Sequence, residues 1–139
     1  MKILVTGGAG YIGGGFLRAA LAAGHELTVL DNLSTGHRDS VPDTAEFLRG
    51  DLREQGILEP ALAAADAVLH FAALSIVGDS VADPVGYYRE NLGGFLSLLE
   101  GIRKVGGPRR LVFSSSAAVY GHGEGRPFTE DAATRPVNP

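Results

Sequence analysis

The sequence of 139 residues contains no cysteine. This absence excludes disulfides, thiolate metal sites and a thiol nucleophile, and it is typical of a reducing compartment. The sequence also lacks any apolar run near the roughly 20 residues that a membrane-spanning helix needs. Its start has no charged segment followed by a long apolar one, as a signal peptide would have. We therefore expect a cytoplasmic protein without a membrane partner, and we assign no metal-binding residues.

Basic clusters are also missing. The formal net charge is −4, and no basic cluster is larger than Arg109-Arg110. Nucleic acid and anionic membranes are therefore poor candidates for partners. The length is sufficient for one domain with a hydrophobic core of ordinary size.

Glycines are abundant, and they cluster near the start of the chain. An apolar run at 3–5 is followed by glycines at positions 7, 8, 10 and 13, and then by apolar residues at helical spacing. This pattern predicts a buried strand, a tight turn and a helix whose free N–H groups and dipole attract an anion. Gly7 allows the sharp turn, Gly10 leaves room for a diphosphate, and Gly13 lets the helix pack closely. An ordinary strand-to-helix turn is the alternative to a dinucleotide site, which we assign to Gly7, Gly10, Tyr11, Ile12 and Gly13.

An acidic residue follows the next predicted strand. Residues 26–30 read as a strand that ends in Asp31, 18 residues beyond Gly13. A carboxylate at this position can accept hydrogen bonds from both ribose hydroxyls of NAD and would repel the extra phosphate of NADP. The alternative is an aspartate that only caps a turn. We assign Asp31 and Asn32 to the cofactor site and expect NAD as the cofactor.

The ends of two further predicted strands complete this site. Strand 46–48 precedes Asp51 and Leu52, which we assign to the adenine through the carboxylate and a main-chain contact. Alternatively, Asp51 only caps the next turn. Strand 67–71 is almost entirely apolar, as a strand covered on both faces should be, and the small residues after it would let its backbone approach the cofactor. We assign Phe71, Ala72 and Ala73 to the site and interpret His70 as a packed strand residue.

Strands and helices alternate along the whole chain. We expect a helix at 11–23 that ends at Gly24, a brief helix near 60–64 with Pro60 in its first turn, and a long helix over 84–104 capped by Asp83. Several glycines in the long helix suggest that another helix approaches it closely. A fifth strand at 110–113 leads into three serines. The order predicts an α/β fold, a doubly wound parallel sheet (Rossmann fold) of about five strands with right-handed crossovers.

A set of motifs, in order and at these spacings, carries a resemblance to a known family. The chain resembles the extended short-chain dehydrogenase/reductase superfamily and, more narrowly, the NAD-dependent UDP-glucose 4-epimerases, over residues 2–139. The motifs are T-G-G-A-G-Y-I-G at 6–13, L-D-N-L at 30–33, G-D-L-R at 50–53, H-F-A-A at 70–73, V-G-D-S at 77–80, Asn91 and F-S-S-S-A-A-V-Y-G at 113–121.

The resemblance implies a reaction. The similar 4,6-dehydratases carry an Asp-Glu pair, and the decarboxylases usually a glutamate, where this chain has Ala117 and Ala118. Without such groups, the implied chemistry is transfer of a hydride from carbon 4 of a UDP-hexose to NAD and its return to the other face. By position Ser116 matches the catalytic serine, although a strand-end serine bonded to backbone is the alternative. Asn91 and Ser114 are assigned to the cofactor site.

Two departures from the family pattern qualify this expectation. Gly14-Gly15 replace the serine and the polar or small residue that commonly follow Gly13, and the catalytic Tyr-x-x-x-Lys is absent, since Tyr120 is followed by Glu124. The family's spacing would place that tyrosine just after Asn138-Pro139. We therefore expect an incomplete NAD-binding domain over 1–139 that is itself inactive.

The resemblance also implies a partner, and it leaves alternatives open. The protein that carries this domain would form a homodimer through helix 84–104. One alternative is a complete, non-catalytic NAD-binding module. Another is an epimerase that acts on UDP-glucuronate or a UDP-pentose.

Overall fold

The computed structural model describes residues 1–123, 125 and 127–139. Its centre is a five-stranded sheet in which neighbouring strands are all parallel, in the order β3-β2-β1-β4-β5. The strands are β1 (Lys2–Thr6), β2 (Glu26–Asp31), β3 (Glu46–Arg49), β4 (Ala67–His70) and β5 (Leu111–Phe113). The expected doubly wound parallel sheet is therefore confirmed.

Helices connect the strands. They are α1 (Tyr11–Ala22), α2 (Gln55–Ala64), α3 (Val77–Ala82), α4 (Pro84–Tyr87) and α5 (Gly94–Val105). A π-helical segment (Tyr88–Gly93) joins α4 to α5, so that residues 84–105 form one long helical stretch. Two short 3₁₀ turns cover Arg38–Ser40 and Ala117–Tyr120.

The sheet has a buried apolar layer on each face. Because side chains alternate along a strand, Ile3 and Val5 of β1 pack with Leu17 of α1 on one face. Leu4 points to the other face and packs in a cluster with residues of α2 and α5, including Leu58. Strand β1, paired with β2 on one side and β4 on the other, is therefore the buried centre of the domain.

The long helical stretch agrees with the sequence in its ends and its packing. The Asp83 side chain accepts a hydrogen bond from Gly86 N at 2.9 Å, as a capping residue should. Gly106 follows α5 in the left-handed conformation (φ 72°) and ends it. A Cβ at Gly101 would lie 2.8 Å from Cδ1 of Leu62, so the close approach to another helix is confirmed there, with α2 as the neighbour.

Several element boundaries differ from expectation. Helix α2 begins at Gln55, which places Pro60 inside the helix, where its ring removes one backbone hydrogen bond. Helix α3 was not predicted. Strand β4 ends at His70, so Phe71 lies just beyond it.

Candidate functional site

The turn after β1 can be made only by small residues. Gly7 has φ +74°, and a Cβ there would overlap the Ala72 backbone, which comes from the loop after β4. A Cβ at Gly13 would lie 2.7 Å from Gly8 Cα, so this glycine lets α1 begin directly against the turn. Gly7 N donates to Leu30 O of β2 at 3.0 Å. The first turn of α1, with its free N–H groups, is thereby held at the carboxyl end of the sheet.

An open cleft lies at this end of the sheet. Its volume is about 700 Å³ including its mouth. In open parallel sheets, ligands bind outside the carboxyl ends of the strands where the order of the strands reverses, which here is between β1 and β4. Ten of the predicted site residues line the cleft: Gly7, Gly10, Asp31, Asn32, Asp51, Leu52, Phe71, Ala72, Ala73 and Asn91.

The remaining predicted site residues are not part of the cleft lining. Tyr11 and Ile12, on the first turn of α1, are 94% and 61% exposed. Gly13 is buried against the turn. Ser114 and Ser116 are exposed and follow β5.

Sequence reasoning missed part of the cleft wall. Ser34, Thr35 and Gly36 line the cleft from the loop after β2, and we did not assign them to the site. A Cβ at Gly36 would lie 2.9 Å from the backbone carbon of Ala9, so this loop packs directly on the glycine turn. The glycine at 36, close after the L-D-N-L motif, was the one available signal. Glu90 also lines the cleft, and we did not assign it to the site from the sequence.

Asp31 both shapes the cleft and faces it. The residue is 9% exposed, and its two carboxylate oxygens accept hydrogen bonds from Ala9 N at 3.0 Å and Leu33 N at 2.8 Å. These bonds fit the turn-capping alternative. A carboxylate has about four acceptor positions, so Asp31 retains capacity for hydroxyl donors in the cleft, and the two interpretations are compatible.

Asp51 is the most heavily bonded carboxylate of the cleft. It accepts from the backbone N, Nε and one terminal nitrogen of Arg53 at 3.0, 2.6 and 2.8 Å, and from Asn32 Nδ2 at 3.1 Å. The Arg53 guanidinium, bonded to the carboxylate, holds the pKa of Asp51 well below its usual range, so this group is ionised at neutral pH. The bond to Arg53 N also fits the turn-capping alternative. Glu90, on the π-helical segment, accepts two further bonds from Arg53, at 2.9 and 2.8 Å.

Asn91 fixes the loop that covers the glycine turn. It lies on the π-helical segment, a feature often found at functional sites. Its Oδ1 accepts from Leu74 N at 2.7 Å, and its Nδ2 donates to Leu74 O at 2.9 Å. Tyr87, which is buried, bonds to both backbone groups of Ile76 in the same loop. The backbone of residues 71–74 is thus held in place at the cleft.

The serines after β5 are held by backbone contacts. Ser114 N donates to His70 O at 3.1 Å, and Ser116 Oγ accepts from Ala118 N at 3.1 Å, which begins the second 3₁₀ turn. The contact fits the alternative interpretation of a strand-end serine bonded to backbone, and it leaves the Ser116 hydroxyl hydrogen available to donate, so the catalytic role stays a prediction. Glu124, which stands where the family pattern would have lysine after Tyr120, lies outside the described residues.

His70 is a packed strand residue, as predicted. It is 3% exposed, and its Nδ1 lies 2.7 Å from Thr6 Oγ1. The rings of Phe95 and Phe113 lie 5.3 and 5.6 Å from its own. Burial lowers the pKa of His70 to about 4, so it is neutral at physiological pH.

Comparison with known proteins agrees with this geometry. The family described as "NAD dependent epimerase/dehydratase family" matches residues 3–139. The chain is 51% identical over 141 residues to a UDP-glucose 4-epimerase of Streptomyces lividans, an alignment that covers 99% of this chain and 43% of the relative. The chain thus spans less than half the length of that relative. None of the helices in the described part of the chain is long and apolar enough to cross a membrane.

Solved structures also match nearly the whole of this chain over less than half of their own length. The crystal structure of UDP-glucose 4-epimerase from Brucella ovis in complex with NAD has a TM-score of 0.91 and 42% identity, and the match covers 99% of this chain and 42% of that one. The UDP-Glc/GlcNAc 4-epimerase from Campylobacter jejuni has a TM-score of 0.89 and 35% identity, and the match covers 99% and 44%.

Proposed function

Since the chain belongs to the NAD dependent epimerase/dehydratase family, we propose that it is the NAD-binding part of a UDP-hexose 4-epimerase that interconverts UDP-glucose and UDP-galactose. The relatives that match it carry this activity in their names. Residues 1–139 would supply the site for the adenosine and diphosphate of NAD and one catalytic serine.

One observation carries the cofactor proposal: a glycine turn and a buried carboxylate meet in the cleft. The turn is closed so tightly that Gly7 leaves no room for a Cβ, whereas a Cβ at Gly10, on the cleft surface, would meet only Gly7 O at 3.4 Å. The missing side chain at Gly10 therefore leaves open space beside the N–H groups at the start of α1, which suits a diphosphate. The residues present fit NAD.

Each wall of the cleft has a role in this proposal. Asp31 accepts the hydroxyls of the adenosine ribose, and its charge disfavours a phosphate on that ribose. Asp51 and Leu52, which line the cleft, would hold the adenine through the carboxylate and a main-chain contact. The backbone of residues 71–74, held by Asn91, approaches the dinucleotide closely because its side chains there are mostly small.

The reaction itself would involve Ser116. When bound, NAD would supply a reversible acceptor for a hydride of the sugar. Ser116 would donate a hydrogen bond to the reacting oxygen of the sugar. The sequence holds no tyrosine followed four places later by lysine, so we expect the 139 residues alone to bind NAD without turning over a UDP-sugar.

The name of the Campylobacter jejuni neighbour favours a second substrate class. That protein is a UDP-Glc/GlcNAc 4-epimerase, so an N-acetylated hexose is the candidate alternative to a plain one. Assays of the full-length gene product with UDP-galactose and with UDP-GlcNAc separate the two. Absence of turnover with every UDP-sugar would contradict the epimerase proposal.

The cofactor proposal is tested by Asp31→Ala in the full-length gene product. Calorimetric titration should show that the parent protein binds NAD more tightly than NADP. Asp31→Ala should weaken NAD binding by about tenfold, roughly 1.4 kcal/mol, and reduce the ratio of the two affinities. Asp66→Ala is the control, because Asp66 also accepts a backbone N–H, from Lys2 at 2.8 Å, but at the opposite end of β1. An unchanged NAD/NADP ratio in Asp31→Ala would contradict the assignment.

A further inference from the structure

Arg53 joins two parts of the cleft that are distant in sequence. Its guanidinium donates two bonds to the Asp51 carboxylate, in the loop after β3, and two to the Glu90 carboxylate, on the π-helical segment. Asp51 and Glu90 both line the cleft. Such two-bond pairing between a planar guanidinium and a carboxylate restricts orientation as well as distance.

The acceptor positions of Asp51 are all in use. Four donors reach its two oxygens, and a carboxylate offers about four acceptor positions. Three of these donors belong to Arg53, at 2.6 to 3.0 Å, and the longest bond, 3.1 Å, comes from Asn32 Nδ2. A new donor from a ligand can therefore enter at the least cost in place of the Asn32 amide.

We propose that Arg53 is a positioning residue for adenine recognition: held by Glu90, it fixes the Asp51 carboxylate so that the adenine amino group can replace the Asn32 amide. This inference rests on the proposed NAD site and adds the residue that orients the adenine acceptor. Arg53 touches no part of the cofactor in this arrangement, and it acts through Asp51. Glu90 acts one step further away, by limiting the positions of Arg53.

The test compares two ligands of the full-length gene product, freed of bound nucleotide. NAD carries the adenine amino group, whereas nicotinamide hypoxanthine dinucleotide has a carbonyl at that position, which accepts hydrogen bonds and faces the Asp51 carboxylate without a donor. The parent protein should bind NAD about tenfold more tightly, as a hydrogen bond to a charged acceptor predicts. Arg53→Met should reduce this preference to less than threefold and leave affinity for the hypoxanthine analogue within about twofold.

Further variants distinguish the positioning of Asp51 by Arg53 from a general effect of losing an ion pair. Glu90→Gln keeps the Arg53–Asp51 bonds but removes the second charge, and it should also reduce the preference, by a smaller factor. Lys104→Met is the control, because it removes the ion pair with Glu59 (2.7 Å) between α5 and α2 and should leave the preference unchanged. If Arg53→Met proves unfolded in a thermal melt, the preference of Glu90→Gln for NAD over the analogue tests the positioning role instead.

The outcomes distinguish this inference from the proposal on which it rests. Failure of the parent protein to bind either dinucleotide would contradict the proposed function. Binding of NAD without preference over the analogue would leave NAD binding standing and overturn the role of Asp51 and Arg53. If both Arg53→Met and Glu90→Gln kept the parent protein's full preference for NAD over the analogue, the positioning role of Arg53 would be overturned.

Discussion

Gly7 combines two demands on a single residue. Its φ of +74° favours glycine, and a side chain there would overlap the Ala72 backbone. We expect Gly7→Ala to lower the free energy of unfolding by more than about 2 kcal/mol, the sum of backbone strain and displacement of the loop after β4. Urea unfolding followed by circular dichroism measures this change.

Gly24 is the matched control for Gly7. It ends α1 with φ +78°, but a Cβ there would meet nothing within 4 Å. Gly24→Ala should therefore cost only the backbone term, about 1 kcal/mol. Equal decreases in the free energy of unfolding for Gly7→Ala and Gly24→Ala would contradict the claim that contact with the Ala72 backbone makes Gly7 necessary.

His70 should make stability depend on pH. Its pKa is lowered to about 4 in the folded protein, against about 6.5 in an unfolded chain, because burial disfavours the charged ring. Between these values the unfolded state binds the proton and the folded state does not, so the free energy of unfolding falls as pH decreases from 6.5 to 4. We expect a loss on the order of 2–3 kcal/mol over this window.

Chemical denaturation at several pH values between 7.5 and 4.5 tests the role of His70. His70→Asn should flatten the pH profile, whereas His122→Asn, which replaces an exposed histidine, should leave it as in the parent protein. A profile for His70→Asn that still falls as steeply would assign the effect to other groups.

The individual side chains show what local sequence could predict. Asp31 and Asp51 were placed at the cleft because carboxyl ends of parallel strands meet at one edge of a sheet. Both carboxylates also accept turn-capping bonds. Asp31 keeps acceptor positions for a further donor, whereas Asp51 would have to exchange the Asn32 amide for one. Their cofactor roles stay predictions. The bonds from Arg53 to Glu90 were missed, because 37 residues separate the partners and no local spacing reports on them.

At the scale of elements, glycines in the long helical stretch have opposite environments. A Cβ at Gly101 would meet Cδ1 of Leu62 at 2.8 Å and Cδ2 of Leu58 at 3.3 Å, whereas one at Gly93 would meet nothing within 4 Å. Gly93→Ala should stabilise the protein by about 0.5–1 kcal/mol through helix propensity. Gly101→Ala should instead destabilise it by about 1 kcal/mol, because both leucines are fully buried and overpacking outweighs the gain.

Thermal and urea unfolding of the two variants side by side measures this difference. The sign of the change in the free energy of unfolding is decisive, because helix propensity alone predicts the same increase in stability at both positions. Stabilisation by Gly101→Ala would show that α2 and α5 move apart at little cost.

Element types were easier to predict than their limits. All five strands and the helices after β1, β3 and β4 follow from apolar periodicity, glycine and capping residues. Helix α2 begins five residues before Pro60, where we expected its first turn, because packing of Leu58 and Leu62 supports a helix around Pro60 that propensity disfavours. The π-helical segment has no local signal, since its extra residue per turn is stabilised by contacts such as those of Asn91 with Leu74.

The whole molecule presents a large uncovered apolar surface. Tyr88, Leu92 and Leu96 are 58%, 51% and 50% exposed, at helical spacing along one face of the long stretch. Val112 and Phe113 of the edge strand β5 are also more than half exposed. Exposed apolar side chains on a helical face and on an edge strand mark interaction sites or promote association.

We therefore expect the 139-residue chain to self-associate, with a second copy covering the helical face. Sedimentation velocity over a range of concentrations should detect species larger than a monomer. The double variant Leu92→Glu/Leu96→Glu should shift the distribution toward the monomer, whereas Val137→Glu, which changes an exposed valine after the second 3₁₀ turn, should not. A monomer at all concentrations would contradict this prediction.

The position of the cleft along the chain has a consequence for biosynthesis. All of its lining residues lie between positions 7 and 94, before β5 begins at Leu111. Chains leave the ribosome from the N-terminus, and N-terminal domains fold first, so every residue that lines the cleft is available before β5 is. Dinucleotide bound at that moment would stabilise the emerging sheet by mass action. Cofactor loading would then belong to folding on the ribosome rather than follow it.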